Sequence, residues 1–104
     1  MKNEFARGVM DGMKSRHPQE IAAFTDYRPD YKRGFILGYC HQLERRYGEM
    51  ALAAWKAGIL TRRYGLDQAL MREFFTDFRS ERLVRSFNRG YQEATALPAP
   101  GAAA

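Results

Sequence analysis

The side chains best suited to chemistry in this chain are one cysteine and two histidines. Cys40 and His41 are neighbours, and His17 lies well before them. A metal site needs several ligands converging on one point. On a helix, Cys40 and His41 project about 100° apart, so they do not chelate together. A nucleophilic thiol needs a base in reach. Only His17 is a conceivable partner for Cys40, and no G-x-S-x-G elbow is present. Cys40 therefore reads as a packed core thiol and His41 as the polar flank of its helix. Glu73 and Asp77 stand at i, i+4, a spacing that more often lines a solvated helix face than forms an acid/base couple. No glycine-rich loop follows a strand, which excludes a dinucleotide fingerprint or a phosphate loop. The expectation is a non-enzyme with no metal and no cofactor.

Binding chemistry is better represented. The tetrapeptide RRYG occurs twice, carrying Arg45 and Arg46 before Gly48, and Arg62 and Arg63 before Gly65. Arginines in a last helical turn complement the helix dipole, and a following glycine supplies the left-handed residue that closes a helix. A paired phosphate clamp is the competing reading. Arg82, Arg85 and Arg89 share a face at i, i+3, i+7. With Arg79, Lys32, Arg33, Arg45 and Arg46 they could track phosphates, or they form a solvated face partly paired with Glu81 and Glu93. No exposed aromatic platform for stacking bases is identified, since the rings fall on apolar faces. Residues 60–75 also fit a helix-turn-helix template, with Gly65 at the turn, Met71 and Phe74 inward, and Gln68, Ala69 and Arg72 outward. Asp67, Glu73 and Asp77 argue against it, because phosphates would repel them.

These residues must be positioned by a small scaffold. The chain has 104 residues, a net charge of +5 and a pI near 9.7. That length suits one domain, and the mild basic excess favours acidic or polyanionic partners. One cysteine gives no disulfide framework. The N-terminus lacks a signal-like apolar core, and no apolar run is long enough for a membrane span. A cytoplasmic protein is expected.

The periodicity predicts an all-α domain over residues 1–95, a compact bundle of four to five short helices with close glycine-mediated packing. The first helix runs from about Asn3, its N-cap, to Ser15, and His17-Pro18 ends it. Residues 18–24 allow a further short helix. The second runs from an Asp30 N-cap to Gly48, and the third from about Glu49 to Tyr64. The fourth starts at Asp67 and carries Leu70, Met71, Phe74, Phe75 and Phe78 on one stripe. The fifth covers about Ser80 to Thr95, and residues 96–104 form a disordered tail. The expected core is Phe5, Phe35, Ile36, Leu43, Trp55, Ile59, Leu60, Leu70, Met71, Phe74, Leu83 and Phe87.

One feature of these helices is costly. Gly8, Gly12, Gly34, Gly38, Gly58 and Gly90 all fall inside helices, at a combined propensity cost of roughly 5 kcal/mol. An aromatic–x–x–Gly unit recurs at Phe5–Gly8, Tyr31–Gly34, Trp55–Gly58 and Phe87–Gly90. Each unit has a second small residue one turn away, and such a face lets two backbones approach closely. Either the faces pack on one another inside the bundle, a ring of one helix over the glycines of the next, or one stays exposed for a partner. Gly34 and Gly38 are the candidates for the exposed case.

The segments FARGVMDG, DYKRGFILGYCH and AWKAGILTRRYGLD, with the final F-x-x-GY, resemble the small enterobacterial YghW-type proteins in the same order over about residues 1–95. That resemblance implies no assigned activity and no catalytic residues. FNRGYQEA (Phe87 to Ala94) is also similar to the RGYxxG helix of ribosome modulation factor, without that family's Cys-Pro turn. The functional expectation is a protein-interaction or regulatory module, with a protein partner or self-association. An RNA- or ribosome-associated factor is the alternative, and DNA binding is the lesser one.

Overall fold

The computed structural model describes residues 3–18, 28–76 and 81–96. Among them are five helices: α1 (Glu4–Lys14), α2 (Pro29–Tyr47), α3 (Met50–Arg63), α4 (Gln68–Thr76) and α5 (Glu81–Ala96). The all-α reading holds. The possible helix at 18–24, Asp77, Phe78, Arg79 and the tail lie essentially outside the described residues.

The helix ends follow local chemistry. The Asn3 side chain accepts from the Ala6 amide at 3.0 Å and caps α1. The Asp67 carboxylate accepts from the Leu70 amide at the head of α4. Gly48 closes α2 in the left-handed region at φ 65°, and Gly65 follows α3 at φ 69°; both suit glycine because it lacks a Cβ. Asp30 is not the N-cap of α2. Arg28 is, with Pro29 in the first turn, where its missing N–H and fixed φ are harmless. Asp30 lies one residue further in and bonds Arg33 at 2.8 Å.

The glycines decide which helices meet. A methyl group added at Gly8 or Gly12 would come within 3.0 Å of the α2 backbone at Tyr31 and Phe35, or at Phe35 and Tyr39. Additions at Gly34 and Gly38 would strike the α1 backbone at Phe5 and Val9. As the glycine advances along α1, the facing residue advances along α2, so the two helices run parallel. The same contact joins α3 to α5: Gly58 faces the Phe87 carbonyl and the Tyr91 amide, and Gly90 faces the Trp55 carbonyl. What lies over each glycine is a backbone carbonyl of the partner helix, that of an aromatic residue in every case but Gly38, which faces the Val9 carbonyl. The expected ring-over-glycine arrangement is therefore corrected.

Parallel neighbours cannot be joined by a tight turn, because the chain must first travel back along the helix. Residues 15–28 separate α1 from α2 in the chain, and α4 falls between α3 and α5. Gln42 of α2 caps the end of α1: its amide nitrogen donates to the carbonyls of Gly12 and Met13 at 3.2 and 3.0 Å, and to that of Ser15.

A single core joins the pairs through α2, α3, α4 and α5, centred on Phe35, Ile36, Leu60, Met71 and Phe87. Thr61 is fully buried there and donates its hydroxyl to the Ala57 carbonyl at 2.7 Å. Of the expected core, Phe5, Leu43, Trp55 and Phe74 are only half-buried. Leu70 is 41% exposed, an outright correction. Met71 and Phe75 occupy the buried line of α4. Phe74, one step round the helix, turns aside to stack on Phe5 at 5.9 Å between ring centroids, which leaves Leu70 outside.

Candidate functional site

The structure separates the residues that sequence reasoning grouped as interaction candidates. Gly34 and Gly38 are buried against α1, so that face is occupied within the chain and offers nothing to a partner. The other four helical glycines are likewise buried against a neighbouring helix. Arg45, Arg46, Arg62, Arg63, Arg82, Arg85 and Arg89 are all exposed.

The arginines do not share one environment. Arg85 reaches Glu81 at 3.8 Å, and Arg89 bonds Glu93 at 2.9 Å, both as i, i+4 pairs on α5. Exposed pairs of this kind contribute little. Arg62 leaves α3 to lie over the Tyr91 ring of α5, 5.5 Å from its centroid. Thus the last turn of α3 meets the Tyr91 side of α5, while Arg89, two residues earlier, points to the other side of that helix. Arg46 stacks over Tyr47 at 5.6 Å. Lys32 and Arg33 are half-buried, and Arg33 is tied to Asp30, so neither extends a phosphate-tracking face.

Tyr47 is a residue the sequence reading missed. It is 57% exposed, whereas Tyr64, in the second copy of RRYG, is 6% exposed. An exposed ring beside Arg45 and Arg46 does exist. The missing signal was tertiary: the two tetrapeptides end helices that sit differently against the core.

A mostly apolar cleft of about 400 Å³ opens where α2, α3, α4 and α5 meet. Leu37, Cys40, His41 and Glu44 line it from α2, Met50 and Ala53 from α3, Phe74 and Phe75 from α4, and Leu83 from α5. Its volume lies in the range of small-molecule or side-chain pockets. His41 is exposed, Cys40 is buried, and Met50 is 45% exposed at the mouth. Leu70 continues the Phe74 side of the cleft, one turn back on the same face of α4.

Burial shifts the pKa of Cys40 in the cleft and that of its neighbour Lys56. Burial pushes the Cys40 thiol up to about 12, so it stays protonated and is a weak nucleophile near neutral pH. Half-burial, and then the nearby Arg63 charge, lower the Lys56 pKa. Among the described residues no group of three or more His, Cys, Asp or Glu side chains is placed to hold a metal ion. No helix among them is long and apolar enough to cross a membrane. In the helix-turn-helix segment, the Gln68 side chain donates to Asn88 of α5 at 3.3 Å, so one of the residues expected to face a DNA groove is turned to the protein. Ala69 is exposed and Arg72 half-buried.

Comparison with known proteins gives a family and no activity. The chain belongs to the family described as Protein of unknown function (DUF2623), whose family model matches residues 1–93. No solved structure matches the chain.

Proposed function

We propose that this protein is a non-enzymatic, cytoplasmic protein-interaction module that receives an apolar side chain of its partner in the cleft between α2, α3, α4 and α5. The observation that carries this reading is the contrast between the two kinds of apolar surface. Every helical glycine face is filled from within the chain, while the cleft is open and carries the exposed Met50 in its lining. An acidic amphipathic helix is the partner class that suits it: such a helix brings apolar anchors at i, i+3, i+4, and its acidic face meets a chain of charge +5. Burial holds the Cys40 thiol of the cleft protonated, which suits a binding role better than a nucleophilic one.

The experiment is capture by the tagged protein from its own cytoplasm, at low and high salt and with and without nuclease, repeated with Met50→Asp. A partner retained at high salt after nuclease, and lost with Met50→Asp, supports the reading. A partner that Met50→Asp leaves bound contradicts it.

A second reading is RNA or ribosome association, favoured by the exposed Tyr47 beside Arg45 and Arg46. Bases stack on exposed rings, and cationic neighbours hold the backbone. It predicts capture that nuclease and salt abolish, that Tyr47→Ala weakens and that Met50→Asp leaves intact.

A further inference from the structure

The two glycine-packed helix pairs are alike in more than their glycines. α1 reads Phe5–x–Arg7–Gly8–x–x–Asp11, and α5 reads Phe87–x–Arg89–Gly90–x–x–Glu93. Their partners read Tyr31–Lys32–x–Gly34 in α2 and Trp55–Lys56–x–Gly58 in α3. Each pair also carries one polar bond in the same place. The Tyr31 hydroxyl donates to the Asp11 carboxylate, and the Trp55 indole N–H donates to Glu93 Oε2 at 2.7 Å. In both, the donor stands three residues before its own glycine and the acceptor three after the partner's. The chain therefore contains one helix-pair unit twice. The order of its halves is reversed, with the carboxylate helix first in one copy and last in the other.

Glycine contacts alone do not specify such a pair. In α1 and α2 the glycines recur every four residues. Sliding one helix by a turn, about 5.4 Å, would set Gly8 where Gly12 stood and Gly38 where Gly34 stood, again glycine against backbone. Exchange of α1 and α5 between α2 and α3 would also keep a glycine contact at each crossing. The aromatic–carboxylate bond does not survive a slide, since its partners separate by a full turn. Nor does it survive exchange unchanged, because the Tyr31 hydroxyl, which reaches farther from its backbone than the Trp55 indole N–H, is matched to the shorter acid, and exchange would set the long donor against the long acid and the short donor against the short one. A single polar contact that fixes helix register among otherwise equivalent apolar pairings is a known use of partly buried polar groups.

We infer that the Tyr31–Asp11 and Trp55–Glu93 bonds are register and partner determinants, selecting one pairing of four similar helices. The test is the Tyr31→Phe/Trp55→Phe double variant, which keeps an aromatic ring at each position and removes both donors, followed by amide NMR on the glycines. The wild-type chain should give one signal for each of Gly8, Gly12, Gly34, Gly38, Gly58 and Gly90. The double variant should give two or more, with retained helicity. One signal per glycine, with unchanged contacts from Gly8 to residue 31 and from Gly90 to residue 55, would overturn the inference. Should the double variant not fold, Trp55→Tyr/Glu93→Asp decides. It transplants the first lock into the second pair and is expected to give single signals, while Trp55→Phe alone gives doubled ones. Doubling in the transplant, or its absence in Trp55→Phe, would count against the inference.

Discussion

α1 and α5 are built on the same pattern but are held by different means. α1 buries only its two glycines, and no α1 residue belongs to the buried core. It lies on the outside of α2 and is secured by two successive glycine contacts, the Gln42 cap and the Tyr31 bond. α5 sends Leu83 and Phe87 into the core and makes a single glycine contact with α3. Where a second contact would fall, α5 has Ala94 and α3 has Arg62, whose guanidinium swings out over Tyr91. Close backbone approach and buried side chains thus substitute for one another. A helix with little to bury needs more of the first.

The strongest way to break this comparison is to put a large side chain on a glycine common to both pairs. Gly34→Leu and Gly58→Leu each drive carbon atoms into the facing backbone. Overpacking costs typically about 1–3 kcal/mol, and more where the obstacle is backbone that cannot turn aside. Both variants are expected to lose cooperative thermal unfolding by circular dichroism. Unchanged melting in either would show that its contact is not tight.

The next largest effect separates the helices. Phe87→Ala should destabilise by roughly 3–5 kcal/mol in urea unfolding, as for a fully buried ring. Phe5→Ala, at the matching position of half-buried α1, should cost on the order of 1–2 kcal/mol. Equal losses would remove the distinction between core-held and contact-held helices.

A finer test sits at the second contact. Gly12→Ala is expected to cost about 1–3 kcal/mol, because its methyl meets the Phe35 carbonyl. Ala94→Gly should cost at most about 1 kcal/mol, from helix propensity alone. Denaturant midpoints of the two variants measure the difference.

The smallest effect is electrostatic. The Trp55 hydrogen bond, followed by that from Arg89, lowers the Glu93 pKa. A carboxylate whose pKa is lower folded than unfolded adds stability above its unfolded value, near 4.5. That contribution fades as pH falls from there through the folded pKa. Wild-type melting should therefore drop more steeply than that of Glu93→Gln below about pH 4.5. Parallel pH profiles would contradict the bond.

Much of the fold was legible because glycine inside a helix is costly and so signals close packing. The aromatic–x–x–Gly units located every helix–helix crossing of that kind. They did not reveal who pairs with whom, since four near-equivalent faces allow several matings and only the three-dimensional arrangement distinguishes them. The Asp30 cap was misplaced because aspartate suits an N-cap in general, whereas Pro29 before it is itself a first-turn residue and sets the cap at Arg28. Leu70 was placed inside because an apolar stripe on α4 is wider than the strip the neighbouring helices cover. The cleft was not legible at all. It is the space left where four helices meet, and no local pattern encodes it. Tyr47 and Tyr64 make the same point: one tetrapeptide, opposite exposures.

Two parallel helix pairs, α1 with α2 and α3 with α5, are locked glycine to backbone. Nuclear Overhauser contacts from the glycine α-protons test this locking most directly. Contacts are expected from Gly8 to the Phe35 amide, from Gly12 to the Tyr39 amide, and from Gly58 to the Tyr91 amide. Contacts that run in the opposite sense, with Gly12 nearer Tyr31 than Gly8 is, or none between Gly58 and α5, would contradict it.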